Sequence, residues 1–337
     1  LKLQRRRDSV LMIARHDIDE LKEKIGDRVL VVSVSGGKDS TATCLYLQEL
    51  GLPYEATFFD TGWEHADTYN YLEEYLPSKI GPIKRLVRRQ EMRSEELEQL
   101  AQKYEERLGW YSPMVRLCIH KGVFPARQSR WCTEQLKVFT AKEYLRGHDD
   151  EPISVVGIRG QESASRAKMS EWEWFDAGDC EVWRPLINWT FEDVIDIHQR
   201  HDCSPNPMYL GTNPSDRVGC YPCIYARKNE IRRIAANDPE RIELLADLER
   251  DIHQIRIEKA KAKGEELRTP TGWFQSPGGE INPDTGRRSG LCWSIDRVVD
   301  WSRTKHGGRQ FELFDALPSE RGCVRWGMCD TGSSVEE

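Results

Sequence analysis

The run Ser35-Gly36-Gly37-Lys38-Asp39-Ser40 has the residue types that hold phosphate. Two adjacent glycines let backbone N–H groups approach an anion closely, Ser35 and Ser40 add hydroxyl donors, and Lys38 adds a point charge. Its spacing is neither that of a Walker A loop nor that of GxGxxG. Asp39 beside it reads equally as a helix cap or as a catalytic carboxylate. Asp60 closes an apolar run, Tyr54 to Asp60, and stands where open α/β sheets place ligands, suited to a ribose or a magnesium ion. Arg159 and Arg166 offer planar forks that clamp anionic oxygens bidentately. A second chemistry lies in Cys220-Tyr221-Pro222-Cys223, whose C-x-x-C spacing admits zinc, iron–sulfur or redox thiols.

The elements that must carry these residues read as an α/β pattern. Residues 8–26 have helical spacing of apolar side chains, and residues 28–35 form a β-branched run typical of a buried strand. The glycine loop follows at once, then a helix over 41–50 ended by Gly51-Leu52-Pro53. A second strand (54–60), a second helix (63–76) and a short third strand (83–87) continue the rhythm. A charged helix spans 91–108, strands fall at 152–157 and 182–186, and Thr190 caps a helix over 190–201. This order predicts a parallel twisted sheet with helices on both faces. From about residue 227 the composition shifts to two helices, 229–236 and 239–263, meeting at Asn237-Asp238-Pro239. Residues 264–290 read as a long loop, 294–304 as a short helix, and the rest as an irregular Cys-bearing tail. The expected division is a nucleotide-binding α/β domain over 1–226 and a helical, irregular extension over 227–337.

Composition narrows the function classes. Lys and Arg total 49 against 56 Asp and Glu, a net charge of −7. Phosphate neutralisation needs clustered Lys and Arg, so direct DNA binding by this chain alone is not expected. The runs Arg5–Arg7 and Lys84–Arg89 read as solvated surface. No stretch reaches the ~18 apolar residues of a membrane span, and no signal core follows the basic start, so a cytoplasmic location is expected. Ten cysteines in such a chain favour metal or thiol chemistry over a disulfide framework. Cys44, Cys180 and Cys203 have no partner spacing and read as ordinary buried thiols.

The loop after the first strand resembles the PP-loop of the ATP-pyrophosphatase (adenine nucleotide α-hydrolase) superfamily. Phe59-Asp60-Thr61-Gly62-Trp63-Glu64-His65 resembles the DTG-x-x-H stretch of the branch that holds the phosphoadenylyl-sulfate (PAPS) reductases and their DNA-phosphorothioation relatives. Three further segments agree: Arg130 to Lys137 with R-x-C-x-x-x-L-K, Gly157 to Ser163 plus Arg166 with G-x-R-x-x-E-S-x-x-R, and Pro185 to Val194 with P-L-x-x-W-x-x-x-D-V. The resemblance covers roughly residues 28–226. It implies ATP or an adenylyl-sulfate nucleotide, with Mg²⁺, held by Ser35 to Ser40, Asp60, Thr61, Gly62, Gly157, Arg159 and Glu162. Lys38, Asp39, Asp60, Arg159 and Arg166 are the implied catalytic set.

The resemblance also makes Cys132 a third candidate ligand beside Cys220 and Cys223. A closed thiolate site needs a fourth. Cys329 is favoured, with Cys323 close behind, then Cys292 and Cys118. The branch points to [4Fe–4S], with zinc as the alternative. Clustered adenylyl-sulfate reductases carry adjacent cysteines at the first position, whereas Trp131 and Thr133 flank Cys132 here. The tail reads Met328-Cys329-Asp330, without the E-C-G-x-H motif of a sulfonucleotide reductase. The expected reaction is therefore cleavage of ATP to AMP and pyrophosphate to activate an acceptor in sulfur transfer. A cysteine desulfurase or DNA-modification proteins are the expected partners. A thioredoxin-dependent PAPS reductase and a non-catalytic nucleotide sensor are the alternatives.

Overall fold

Parallel strands buried on both faces are near-continuous apolar runs, and Leu30–Ser33, the first strand β1, sits at the centre of the sheet for that reason. The computed structural model describes residues 16–127, 129–176, 178–210, 214–266, 271–275, 292–305, 310–311 and 326. With β2 (Glu55–Asp60), β3 (Ile83–Val87), β4 (Ile153–Val156), β5 (Trp172–Phe175) and β6 (Cys180–Trp183), β1 forms a six-stranded sheet of order β3-β2-β1-β4-β6-β5. All pairings are parallel except that of β5 with β6. The mostly parallel sheet with flanking helices is the architecture the sequence predicts. The chain leaves β1 toward β2 on one side and returns to β4 on the other, so the order reverses between β1 and β4. The crevice beyond the carboxyl ends of those two strands is the place such sheets bind ligands.

Helix α1 is Ile18–Ile25, within the expected 8–26; the earlier residues of that range lie outside the described ones. Helix α2 (Lys38–Glu49) begins inside the glycine loop, earlier than its apolar periodicity shows. The expected helix over 63–76 starts only at α3 (Ala66–Asn70), because Gly62 has φ +66° and His65 takes the N-cap. It then widens into a π-helical stretch, Tyr71–Tyr75. Helix α4 (Glu95–Leu108) ends at left-handed Gly109 as expected.

Three elements go beyond the sequence reading. Helix α5 (Pro113–Lys121) buries seven of its nine residues, so no polar face marks its period. Helix α6 starts at Trp131–Thr133 and runs through a π stretch, Glu134–Val138, into Phe139–Leu145. Strand β5 is a half-exposed edge whose signal is its pairing, with Trp172 stacked 5.1 Å from Trp183. Helix α7 (Phe191–Arg200) has the Thr190 cap, reciprocated by Asp193 in a capping box.

Helices α8 (Lys228–Asn237) and α9 (Pro239–Ala262) do not form a separate core. Ile231, Leu245, Leu248 and Ile252 pack in one apolar cluster with Trp63, Tyr104, Met114 and Leu136 of the α/β part. Within the expected 264–290 loop, Phe274–Gln275 pairs with Cys292–Trp293, just ahead of helix α10 (Ile295–Ser302). Glu249 of α9 holds this segment at both ends, accepting the Trp273 and Ile295 amides at 2.8 Å each. Burial pushes the Glu249 carboxyl up from 4.5 to about 7, against the pull of those two amides. The folded state thus binds this proton more tightly than the unfolded chain. Unfolding free energy is expected to fall by roughly 3 kcal/mol as pH rises from 4.5 through 7, then level off. Denaturant melts across that range check it, and Glu249→Gln should flatten the same part of the curve. Among the described residues, no helix is long and apolar enough to cross a membrane.

Candidate nucleotide and thiol site

At the crevice, Gly36 turns the chain with φ +70°, and the carbonyl of Gly36 accepts from Asn206 Nδ2 at 3.1 Å. Ser40 Oγ accepts the Ser35 amide at 3.1 Å and donates to the Gly37 carbonyl at 2.9 Å, closing the loop on itself. Gly37 is the N-cap of α2 and, being glycine, gives it no side-chain cap. The helix therefore keeps the electropositive end that attracts anions.

The structure joins three predicted residues here. Asp39 Oδ1 lies 2.5 Å from Arg159 Nε, and Asp39 Oδ2 lies 3.3 Å from Lys38 Nζ. Lys38 is buried against the rings of Tyr209 (5.1 Å) and Phe191 (5.7 Å). Burial alone would lower the Lys38 pKa; Tyr209 and Asp39 outweigh it and move it up, so the ammonium stays charged. Arg159 comes from the chain just after β4, which meets α2 at Gly157. A Cβ at Gly157 would stand 2.6 Å from the Asp39 carbonyl oxygen and 2.7 Å from Thr43 Oγ1. Glu162 accepts the Arg159 amide at 3.1 Å and pairs with Arg166, which lies farther out and partly exposed.

Asp60 ends β2, with its side chain turned into the protein. It is fully buried, and both its oxygens are engaged. Oδ1 accepts the Gly62 amide (2.7 Å) and the Tyr69 hydroxyl (2.8 Å); Oδ2 accepts Arg85 Nε (2.8 Å). Asp60 thus shapes the Thr61–Gly62 turn, and no hydrogen bond links it to the Lys38–Asp39–Arg159 group among the described residues. The Lys84–Arg89 run, expected to be plain surface, supplies this internal ion pair through Arg85.

The turn after Asp60 leads directly to the cysteines. The Trp63 carbonyl accepts the Tyr221 amide at 2.7 Å, Trp63 Nε1 donates to Pro222 O at 3.1 Å, and Thr61 Oγ1 lies 3.9 Å from Cys220 Sγ. Cys132, at the start of α6, reaches the same place: Cys132, Cys220 and Cys223 lie within electrostatic range of one another and of Lys137. Burial pushes Cys220 up to about 12, while Lys137 pulls the other way. Arg217 lies within electrostatic range of Cys223 and Cys220. Among the described residues, no three His, Cys, Asp or Glu side chains are arranged to hold a metal ion. Lys137 places positive charge beside all three thiols, and Arg217 beside Cys220 and Cys223.

Of the fourth-ligand candidates, Cys329 and Cys323 lie outside the described residues. Cys292 neighbours Glu249 and Arg256 instead. Cys118 is fully buried beside Cys132, its thiol pushed well up by burial. Cys44, Cys180 and Cys203 are buried, with thiols raised in the same way.

The model of the phosphoadenosine phosphosulfate reductase domain matches residues 29–226, which hold the cradle and all three of these cysteines. The chain belongs to this family. An uncharacterized 37.8 kDa protein of Escherichia phage 186 is 33% identical over 89% of this chain and 96% of its own. Adenosine 5'-phosphosulfate reductase 1 of Bacillus subtilis is 24% identical over 59% of this chain and 74% of that enzyme. A solved PAPS reductase from Candida auris, in a phosphate complex, aligns with a TM-score of 0.40 at 16% identity, covering 62% of this chain and 96% of that one. As a member of the PAPS reductase family, the chain is one of a group of nucleotide-utilising enzymes.

Several residues of this PAPS reductase-family site carry no sequence motif. Tyr209 and Asn206 brace the loop from a segment between recognisable elements. His198 sets Nε2 3.0 Å from the Lys38 carbonyl and Nδ1 3.0 Å from the Cys203 carbonyl, with its pKa lowered by burial. A neutral ring donates to only one of the two. Glu64 is buried between Tyr69, Thr61 and the Trp63 amide, its pKa raised by that burial. Trp326, from the tail, packs on His198 (5.3 Å), Tyr209 (5.9 Å) and Phe191 (6.2 Å), the rings that wall Lys38. Only the Glu64 position had a nearby signal, through its place in the DTG-x-x-H stretch.

Proposed function

We propose that this chain binds ATP in the crevice beyond β1 and β4 and cleaves it to AMP and pyrophosphate, activating an acceptor for sulfur transfer. The observation that carries the reading is the Lys38–Asp39–Arg159 group at the uncapped start of α2. It places two buried cations, held by one carboxylate, where the amides of a helix N-terminus also face an anion. When phosphates enter, Lys38 and Arg159 exchange Asp39 for phosphate oxygens. An acceptor oxygen attacks the α-phosphorus, and the bond from that phosphorus to the α–β bridging oxygen breaks with Lys38 offsetting charge on the departing pyrophosphate. The adenylylated acceptor gives up AMP when the incoming sulfur nucleophile displaces it. Magnesium arriving with ATP supplies further neutralisation of that charge. Gly157 and Glu162 hold Arg159 in place, and Asp60, Thr61 and Gly62 support the floor beside it.

In this reading Cys132, Cys220 and Cys223, with Cys329 as fourth ligand, would hold a [4Fe–4S] cluster, which would supply sulfur chemistry to the activated acceptor. The sulfur comes from a donor such as a cysteine desulfurase, and a DNA backbone is the acceptor if the chain lies on the phosphorothioation branch. Anaerobically purified protein is expected to be brown. Cys223→Ser should lose that visible absorption and most of the bound iron; a colourless wild type with stoichiometric zinc defeats the cluster assignment.

Membership of the PAPS reductase family favours a second reading, thioredoxin-dependent reduction of PAPS or adenylyl-sulfate. One set of assays separates the readings. Pyrophosphate release from ATP supports cleavage, sulfite release from PAPS with reduced thioredoxin supports reduction, and saturable nucleotide binding without either supports a sensor.

A further inference from the structure

We infer that the outer surface of α6 and the adjoining Ile224–Tyr225 turn form a binding strip for single-stranded polynucleotide. Most arginines that line the rest of the fold are neutralised: Arg28, Arg107, Arg116 and Arg200 each hold a carboxylate. Arg88, Arg127 and Arg130 combine two features. Among the described residues none of the three forms an ion pair, and each lies against an exposed aromatic ring. Arg88 stands 5.7 Å from the Phe139 ring, while Arg127 and Arg130 stand 5.5 and 6.0 Å from the Tyr225 ring. Phe139 is 41% exposed and Tyr225 36%, both among the few large apolar side chains left in solvent.

These groups are fixed in place. Arg88 donates to the Gln135 carbonyl of α6 at 3.0 Å, Arg127 Nε to the Ile224 carbonyl at 3.4 Å, and the Tyr225 hydroxyl to the Arg127 carbonyl at 3.3 Å. Arg130 is the N-cap of α6 and Phe139 lies nine residues on, about 13 Å along the axis at helical rise. Arg127 and Arg130 thus flank the Tyr225 ring near the start of α6 and Arg88 flanks the Phe139 ring farther along it, and a single strand offers phosphate and base face to such cation–ring pairs. An acidic peptide would use the arginines and leave the rings unused. A duplex would hide its base faces. Glu134 on the same helix offsets one charge, leaving the strip positive. The acidic total of the chain does not cancel it, because exposed charges are screened beyond ~8–10 Å at ordinary ionic strength.

The strip borders the thiol group, since Cys132 is on α6 and Cys223 is two residues from Tyr225. The inference rests on this surface and not on the reaction proposed above, so it is tested without ATP. Fluorescence anisotropy of labelled oligothymidylate and oligouridylate is measured against the full chain over a salt series. Both single strands are expected to bind, with a slope of log K against log salt near −2 if three phosphates are neutralised at about −0.7 each. The tighter of the two identifies DNA or RNA as the natural strand. Arg88→Gln with Arg127→Gln should weaken binding by tenfold or more and flatten the slope. Phe139→Ala with Tyr225→Ala should weaken it by roughly tenfold per ring with the slope retained. Phe139→Leu with Tyr225→Leu replaces that pair if its melting curve shows loss of folding. Absence of binding at low salt overturns the inference. So does equal or tighter binding of a duplex, displacement by polyglutamate as effective as by oligonucleotide, or wild-type affinity in both double variants.

Discussion

Lys38→Ala is expected to lower pyrophosphate release from ATP by about 10²–10³-fold, the usual cost of deleting one preorganised group that meets developing charge. The argument is local. Lys38 is buried, ringed by Tyr209 and Phe191, and its only ion-pair partner among the described residues is Asp39. Its removal leaves Asp39 still paired with Arg159 at 2.5 Å, so the fold loses little and the melting temperature should stay near that of the wild type. Loss of activity with a retained fold is the signature of a group that acts on the nucleotide. Lys38→Arg restores charge but brings a larger head into a space bounded by two rings, and should recover only part of the rate. Asp39→Asn separates the two readings of that residue. A cap tolerates asparagine; a carboxylate that holds Lys38 and Arg159 apart from each other does not. A Lys38→Ala protein with wild-type pyrophosphate release would remove the cradle from the reaction altogether.

Gly62→Ala should be strongly destabilising. Gly62 has φ +66°, and a Cβ there would lie 2.4 Å from Ser112 Cα and 2.7 Å from the Tyr111 carbonyl oxygen, both backbone atoms. The neighbours cannot yield, because the Gly62 carbonyl is itself clamped by Ser112 Oγ at 2.7 Å and Trp110 Nε1 at 3.2 Å. Positive φ alone costs about 1–2 kcal/mol for an alanine, and the backbone clash should take the total beyond ~3 kcal/mol. Gly51→Ala is the internal control: φ is +64° there, but nothing lies within 4 Å of the added Cβ. The difference between the two melts isolates the clash. Because the same turn holds Asp60 on one side and the Cys220–Cys223 loop on the other, Gly62→Ala should also loosen the thiol group. Equal melting temperatures for the two variants would show that the Ser112 backbone can move aside.

Part of this site is legible in the linear chain. The hexapeptide Ser35 to Ser40 is contiguous, and its chemistry depends on neighbours a few residues apart, so strand, loop and helix dipole can be read together. Strands β1, β2 and β4 are similarly plain, since strands buried inside a parallel sheet are short apolar runs. Helix α5 is invisible to the same reasoning because a helix buried nearly all round has no period to detect. Edge strand β5 is hidden for the opposite reason, as half-exposed WEWF gains its identity only by pairing with β6.

Asp60 shows where local reading stops. Its place at a strand end is correct, yet its role depends on Arg85, 25 residues on, and Tyr69, nine residues on, which turn it inward. The arginines show the same limit: net charge describes the whole chain, whereas the positive strip on α6 exists because Arg88 and Arg127, far apart in sequence, reach rings on one surface. Residue type and short spacing set the chemistry the chain carries, a phosphate loop and a C-x-x-C. Which carboxylate meets which cation, and which thiols share a space with Lys137, depends on contacts as distant as the 171 residues between Lys38 and Tyr209. Those contacts arise only when the sheet order brings the carboxyl ends of β1 and β4 together.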